Sequence, residues 1–118
     1  MRQIFLVLML FFAIPVQADD KWTTQNTVLE IVYQTAAFVD WKQTRALESF
    51  GHSETNPLLG AHPSAGKVNA YFIGCAIGHL LIAYLLPEKW RLAFQAASVF
   101  IEIDVVRHNY GVGIRVSF

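Results

Sequence analysis

The chain has a single cysteine, Cys75, and therefore no disulfide of its own. If it is sent to an oxidising compartment, its stability has to come from packing and not from a covalent staple. Charge is scarce too. Lys, Arg, Asp and Glu make up 15% of the 118 residues, and nine bases balance nine acids. No basic stripe is available to neutralise a row of phosphates, which excludes nucleic acid as a partner. Also missing are the short patterns that announce metal or catalytic chemistry: there is no His-Glu-x-x-His, no cysteine pair and no repeated Glu-x-x-His.

What the chain has in quantity is apolar residues, 54% of the total. With so little charge, that points to a membrane or to burial in a partner. Arg2, the apolar run Ile4 to Ile14 and the small-residue site Val16-Gln17-Ala18 read as a signal peptide over residues 1–18, cleaved after Ala18. The run is too short for a span of about 20 residues, so the expectation is export to a bacterial inner membrane and not an N-terminal anchor. Residues 19–118 then form one helical membrane domain, since about 100 residues suit a single core.

Three helices are predicted, over about 24–49, 68–86 and 88–109, with a short extended tail at 110–118. In the first, Val28, Leu29, Val32, Ala36, Val39 and Leu47 recur at helical spacing, whereas Glu30, Gln34, Asp40, Gln43 and Thr44 interrupt the run. The second is apolar from Val68 to Leu86 apart from Asn69 and His79, and carries a Gly74-x-x-x-Gly78 spacing suited to close helix approach. The third starts at Pro87-Glu88 and places Trp90 and Tyr110 near two membrane interfaces. The tight link between helices two and three predicts antiparallel neighbours. Three spans would put Lys42, Arg45, Lys67, Arg107 and Arg115 on the cytoplasmic side against Lys21, Lys89 and Arg91 outside, whereas a first helix lying on the membrane surface would leave the loop and the C-terminus periplasmic. The last nine residues alternate and end in Phe118 as barrel strands do, but a barrel needs many such strands and the rest reads as helix.

Ionisable groups inside apolar helices are costly and usually face a bundle interior or a cavity. The candidates for catalysis are Asp40, Glu54, His62, His79, Asp104 and His108, and those for metal ligation are Asp40, Glu54, His62, Asp104 and His108. Imidazole nitrogen and carboxylate oxygen suit a divalent metal, and a histidine beside a carboxylate suits proton transfer, yet nothing marks a nucleophile and no cofactor is required. The competing reading is that these groups satisfy one another and fix the register of the bundle. The stretch His52 to Ser64 reads as a shaped loop: Pro57 and Pro63 stiffen it, Asn56 suits an Asx turn and Ser64 suits a helix cap.

The segments Asp40-Trp41-x-Gln43-Thr44, Glu54-Thr55-Asn56-Pro57-x-Leu59-Gly60-x-His62-Pro63-Ser64, Val68-Asn69-x-Tyr71-Phe72 and Arg107-His108-Asn109-Tyr110-Gly111 resemble a family of small, uncharacterised bacterial and phage-associated membrane proteins. The Asp, Thr and Glu-x-Asn-Pro elements resemble, more loosely, a broader group of membrane proteins with a domain of unknown function. The resemblance implies helical membrane architecture and no particular reaction. The expectation is therefore an all-α, three-helix membrane bundle with a structural or accessory role, in contact with lipid and with a second copy or another membrane protein. The alternative is a membrane-embedded metal binder or hydrolase-like enzyme built on the candidates above.

Overall fold

Thr23 ends the extended chain and starts the first helix through a reciprocal cap: its Oγ1 accepts from Asn26 N, and Asn26 Oδ1 accepts from Thr23 N. The computed structural model describes residues 21–116, so the predicted signal peptide lies outside the described residues. Helix α1 runs Thr24–Ala46 and tightens into a 3-10 turn, Leu47–Phe50. Gly51, at φ +78°, closes this turn with its own N–H on Glu48 O and that of His52 on Leu47 O. Helix α2, Ala65–Leu85, starts three residues before the expected point because Ser64 Oγ accepts from Lys67 N and caps it there. Helix α3 runs Glu88–Gly111. It ends in a Schellman turn, with Gly113 N bonded to Tyr110 O, Ile114 N to Asn109 O, and Ile114 buried behind the turn. Tyr110 and Gly111, expected in an extended tail, thus belong to the helix.

The described residues are all-helical, with no strand. Cross-links fix the path. Asn26 meets Gln95 and Gln43 meets Val106, so α1 and α3 run parallel; Gln34 meets Ala76 and Trp41 meets Asn69, so α2 runs against them. α1 packs most extensively on α3 and next on α2, while α2 and α3, though joined by Leu86 and Pro87, touch little. The short link was expected to make them close neighbours. Instead they splay apart, and the space between them is a cavity.

The interior does not hold the residues that periodicity assigned to it. Val28 and Val32 of α1 are exposed, while Asn26, Glu30, Gln43 and Thr44 are buried. On α3, Phe100 is 74% exposed while Arg91 and Gln95 are 0% exposed. The inward positions are Asn26, Glu30, Tyr33, Ala37, Asp40 and Thr44 on α1, and Arg91, Gln95, Ser98, Glu102, Val105 and Asn109 on α3. Both series step by four and three in alternation, the spacing of a helix-packing seam, but the seam is mostly polar. An apolar cluster of Leu59, Val68 and Phe72, flanked by Trp41 and Tyr71, anchors the loop to the start of α2.

Candidate functional site

Glu30 lies at the centre of the buried network. Its Oε1 accepts from Gln34 Nε2 at 2.8 Å and from His79 Nδ1 at 3.0 Å, and its Oε2 accepts from Gln95 Nε2 at 3.1 Å. Gln95 in turn accepts from Asn26 Nδ2 at 3.0 Å and donates to Asn26 O. Three helices are therefore tied through one carboxylate, which makes the arrangement unique at the expense of a larger apolar core. His79 is 6% exposed and its ring lies between Tyr33, at a centroid distance of 3.5 Å, and Phe94, at 4.6 Å. Its second nitrogen, Nε2, has no hydrogen-bond partner.

His79, Tyr33 and Phe94 form one end of a cavity of about 970 Å³ that lies between α2 and α3 over the face of α1. Further along are Cys75, Ser98, Asp40 and Glu102, and the loop residues Glu54, Thr55 and Asn56 close the other end. The carboxyl groups of Asp40 and Glu102 are neighbours in the cavity wall. Two acids placed so near each other oppose one another's charge in an interior of low dielectric. Asp40 Oδ1 accepts from Thr44 Oγ1 at 3.4 Å and from Asn109 Nδ2 at 3.3 Å.

The loop is shaped by its own polar groups. Glu54 Oε1 accepts from Thr55 N at 2.9 Å and Asn56 N at 2.8 Å, Asn56 Oδ1 accepts from Leu58 N, and Asn56 O takes the N–H groups of Leu59 and Gly60. Glu54 had no structural role in the sequence; here it serves as a backbone cap while lining the cavity.

The sequence candidates divide accordingly. Asp40, Glu54, His79, Asp104 and His108 line one cavity. His62 does not: it pairs with Glu48 at 2.9 Å in the open, with both side chains more than half exposed. Asp104 is exposed and pairs with Arg107 at 3.7 Å, and His108 is exposed at the same rim. The inward acid of α3 is Glu102, because the seam passes through 98 and 102 and leaves 104 on the outer side. Among the described residues no group of three or more His, Cys, Asp or Glu side chains is arranged to hold a metal ion. The proposed ligand set of Asp40, Glu54, His62, Asp104 and His108 is thus not assembled. Gly74 and Gly78, expected to bring helices together, also line the cavity, and a Cβ at either would meet nothing within 4 Å.

Sequence reasoning missed Asn26, Glu30, Gln95 and Arg91. Their signal was present as the alternating four-and-three spacing of polar residues, which is hidden when only apolar residues are counted. No family model, curated protein or solved structure matches this chain.

The two carboxyl centres should respond differently to neutralisation. Glu30→Gln places an amide where the carboxylate accepts from three donors, so it is expected to destabilise by about 1–3 kcal/mol. Asp40→Asn replaces one of two neighbouring acids with a neutral side chain able to donate to Glu102, so its thermal midpoint should match or exceed the parent's. Equal loss in both variants would show that the carboxyl pair is as tightly specified as Glu30.

Proposed function

We propose that this chain is a small integral membrane protein of the bacterial inner membrane, crossing it three times and acting as an accessory component through its polar interior. One observation carries this reading: the polarity of the bundle is reversed. From Val28 to Phe38, Ile73 to Tyr84 and Leu92 to Ile103, the exposed side chains include Ile31, Ile77, Leu81 and Phe100, and no charged side chain is exposed among them. In water such a surface would be unsatisfied while the interior offered little apolar area to drive folding. In lipid the outer face is solvated by hydrocarbon, and the buried amides and carboxylates have reason to pair inside.

Among the described residues, helix α2 alone is long and apolar enough to cross by composition. Averages over α1 and α3 count their inward polar seams against them, although those seams would not meet lipid. At 23 and 24 residues these helices extend about 35 Å, sufficient for a hydrocarbon core of about 30 Å. Exposed Trp90 and Tyr110 stand at opposite ends of α3, as interfacial aromatics do. The up-down-up path groups Lys21, Lys89 and Arg91 at one end and Lys42, Arg45, Lys67, Arg107 and Arg115 at the other, which supports a cytoplasmic loop. The accompanying partners are lipid and another copy or another membrane protein.

Alkaline carbonate or urea washing tests the membrane assignment. The protein is expected to stay in the membrane pellet, and release into the supernatant would sink the proposal. A second reading, proton-transfer catalysis, is favoured by the Glu30–His79 pair, in which a carboxylate orients an imidazole whose other nitrogen is unpartnered. No side chain hydrogen-bonds to that nitrogen as a nucleophile would, so water or a substrate group would have to be the acceptor's partner.

A further inference from the structure

We propose that the cavity between α2 and α3 binds an amphipathic primary amine, whose ammonium group donates a hydrogen bond to His79 Nε2 and whose apolar tail leaves past Gly74 and Gly78. This assignment rests on the membrane placement proposed above, and it names the ligand class of that interior.

The histidine supplies the directional element. Glu30 Oε1 can only accept, so the proton between it and His79 lies on Nδ1. In the neutral ring Nε2 is then an acceptor, and it is buried with no donor. A buried polar atom of this kind costs free energy until a donor reaches it, and an N–H from a ligand in the cavity supplies one. Tyr33 and Phe94 hold the ring from its two faces, so the acceptor is fixed before the ligand arrives.

Charge selects among donors. Asp40, Glu54 and Glu102 line the cavity, Asp40 is close enough to Glu54 and Glu102 to be affected by both, and Glu30 lies directly behind the histidine. Among the lining residues the one Lys or Arg is Arg107, which is engaged by Asp104. His52 and His108 stand at the rim, and Tyr33, Tyr71 and Cys75 are the other titratable groups in the wall. Asp40, Glu54, Glu102 and Asp104 outnumber Arg107 in the wall, and this excess of acid attracts a cation and repels an anion. Tyr71 and Phe72 add aromatic surface of the kind that favours cations.

Size and access fit the same ligand. A cavity of about 970 Å³ exceeds what one ammonium group needs and suits a molecule with an apolar body. Gly74 is exposed, and the missing side chains at Gly74 and Gly78 leave open space beside the cavity on a helix that is otherwise apolar outside.

The test uses the full chain in lipid nanodiscs with 15N-labelled histidine, and three probes of one chain length: octylamine, octanol and octyltrimethylammonium. Octylamine is expected to bind about tenfold or more tightly than octanol, the difference a charged hydrogen bond makes over a neutral one, and to move the His79 Nε2 resonance. Octyltrimethylammonium, which has charge but no N–H, should leave that resonance in place. His79→Asn keeps a donor for Glu30 and removes Nε2, so it should abolish the preference for octylamine over octyltrimethylammonium. Asp40→Asn combined with Glu102→Gln should shrink the preference for octylamine over octanol. If His79→Asn does not fold, the three-probe comparison on the parent chain decides alone. Octanol binding as tightly as octylamine, or octylamine leaving the His79 resonance unmoved, in protein that resists carbonate extraction, overturns the proposal. Extraction by carbonate would instead overturn the membrane placement beneath it.

Discussion

Replacing Arg91 with leucine is expected to lower stability by about 3 kcal/mol or more, because several buried or half-buried carbonyl oxygens lose their donor at about 1–3 kcal/mol each, and, on the membrane placement proposed above, to deplete the protein from the membrane fraction. Arg91 sits at the start of α3 with 0% exposure, and its guanidinium closes the end of α2. Nε donates to Ala83 O at 2.6 Å, Nη2 to Leu86 O at 2.9 Å and Tyr84 O at 3.2 Å, and Nη1 to Lys21 O at 2.9 Å. The last carbonyls of a helix have no partner within it, and here one side chain from the next helix serves them. Leucine would fill the space and leave these oxygens without donors. Lysine would retain the charge but lacks the planar fork, so Arg91→Lys should fall between the two. Thermal unfolding in detergent and abundance in washed membranes provide the measurements. Parental stability in Arg91→Leu would mean that water serves those carbonyls equally well.

Placing a charge on the outer face should be almost as damaging, and the sign of this effect separates lipid from water. Phe100 is 74% exposed and Ile77 is 57% exposed, and neither holds the fold together by burial. In a water-soluble bundle Phe100→Asp or Ile77→Asp would change stability by roughly 0.5 kcal/mol or less, as surface substitutions usually do, and would improve solubility. At the middle of a membrane span the same change opposes insertion by about 3 kcal/mol. We therefore expect both variants to show reduced insertion and faster turnover, with His62→Ala, an exposed change at the loop, serving as a neutral control. Normal levels of Phe100→Asp in a soluble fraction would contradict the three-span reading.

The helices themselves could be read from the chain, because capping and turn residues act locally. Ser64 starts α2 and Thr23 starts α1 through contacts three residues away. The site was legible only in part. His79 and Asp40 stood out as polar groups in apolar surroundings, and both reach the cavity. Glu54 also reaches it, but its carboxylate is occupied with the amides of its own loop. His62 was singled out for its chemistry and turns outward to Glu48, since nothing in a loop's composition states which way a side chain points. Arg91 counted in the sequence only as one more positive charge, because the carbonyls it serves belong to another helix.

The sequence by itself determined where the helices lie and that one segment is apolar enough to span a membrane. Tertiary structure alone decided which side of each helix faces inward. Periodicity locates an apolar stripe, but whether that stripe faces a core or a solvent depends on the medium outside and on the partners available inside. Here Glu30, His79 and Gln95 find one another across three helices, and that mutual satisfaction turns the polar seams of α1 and α3 inward. The gap between α2 and α3 is likewise a property of the assembly: α1 holds each of them through its own polar contacts, and the two remain apart where a two-residue link would have let them close.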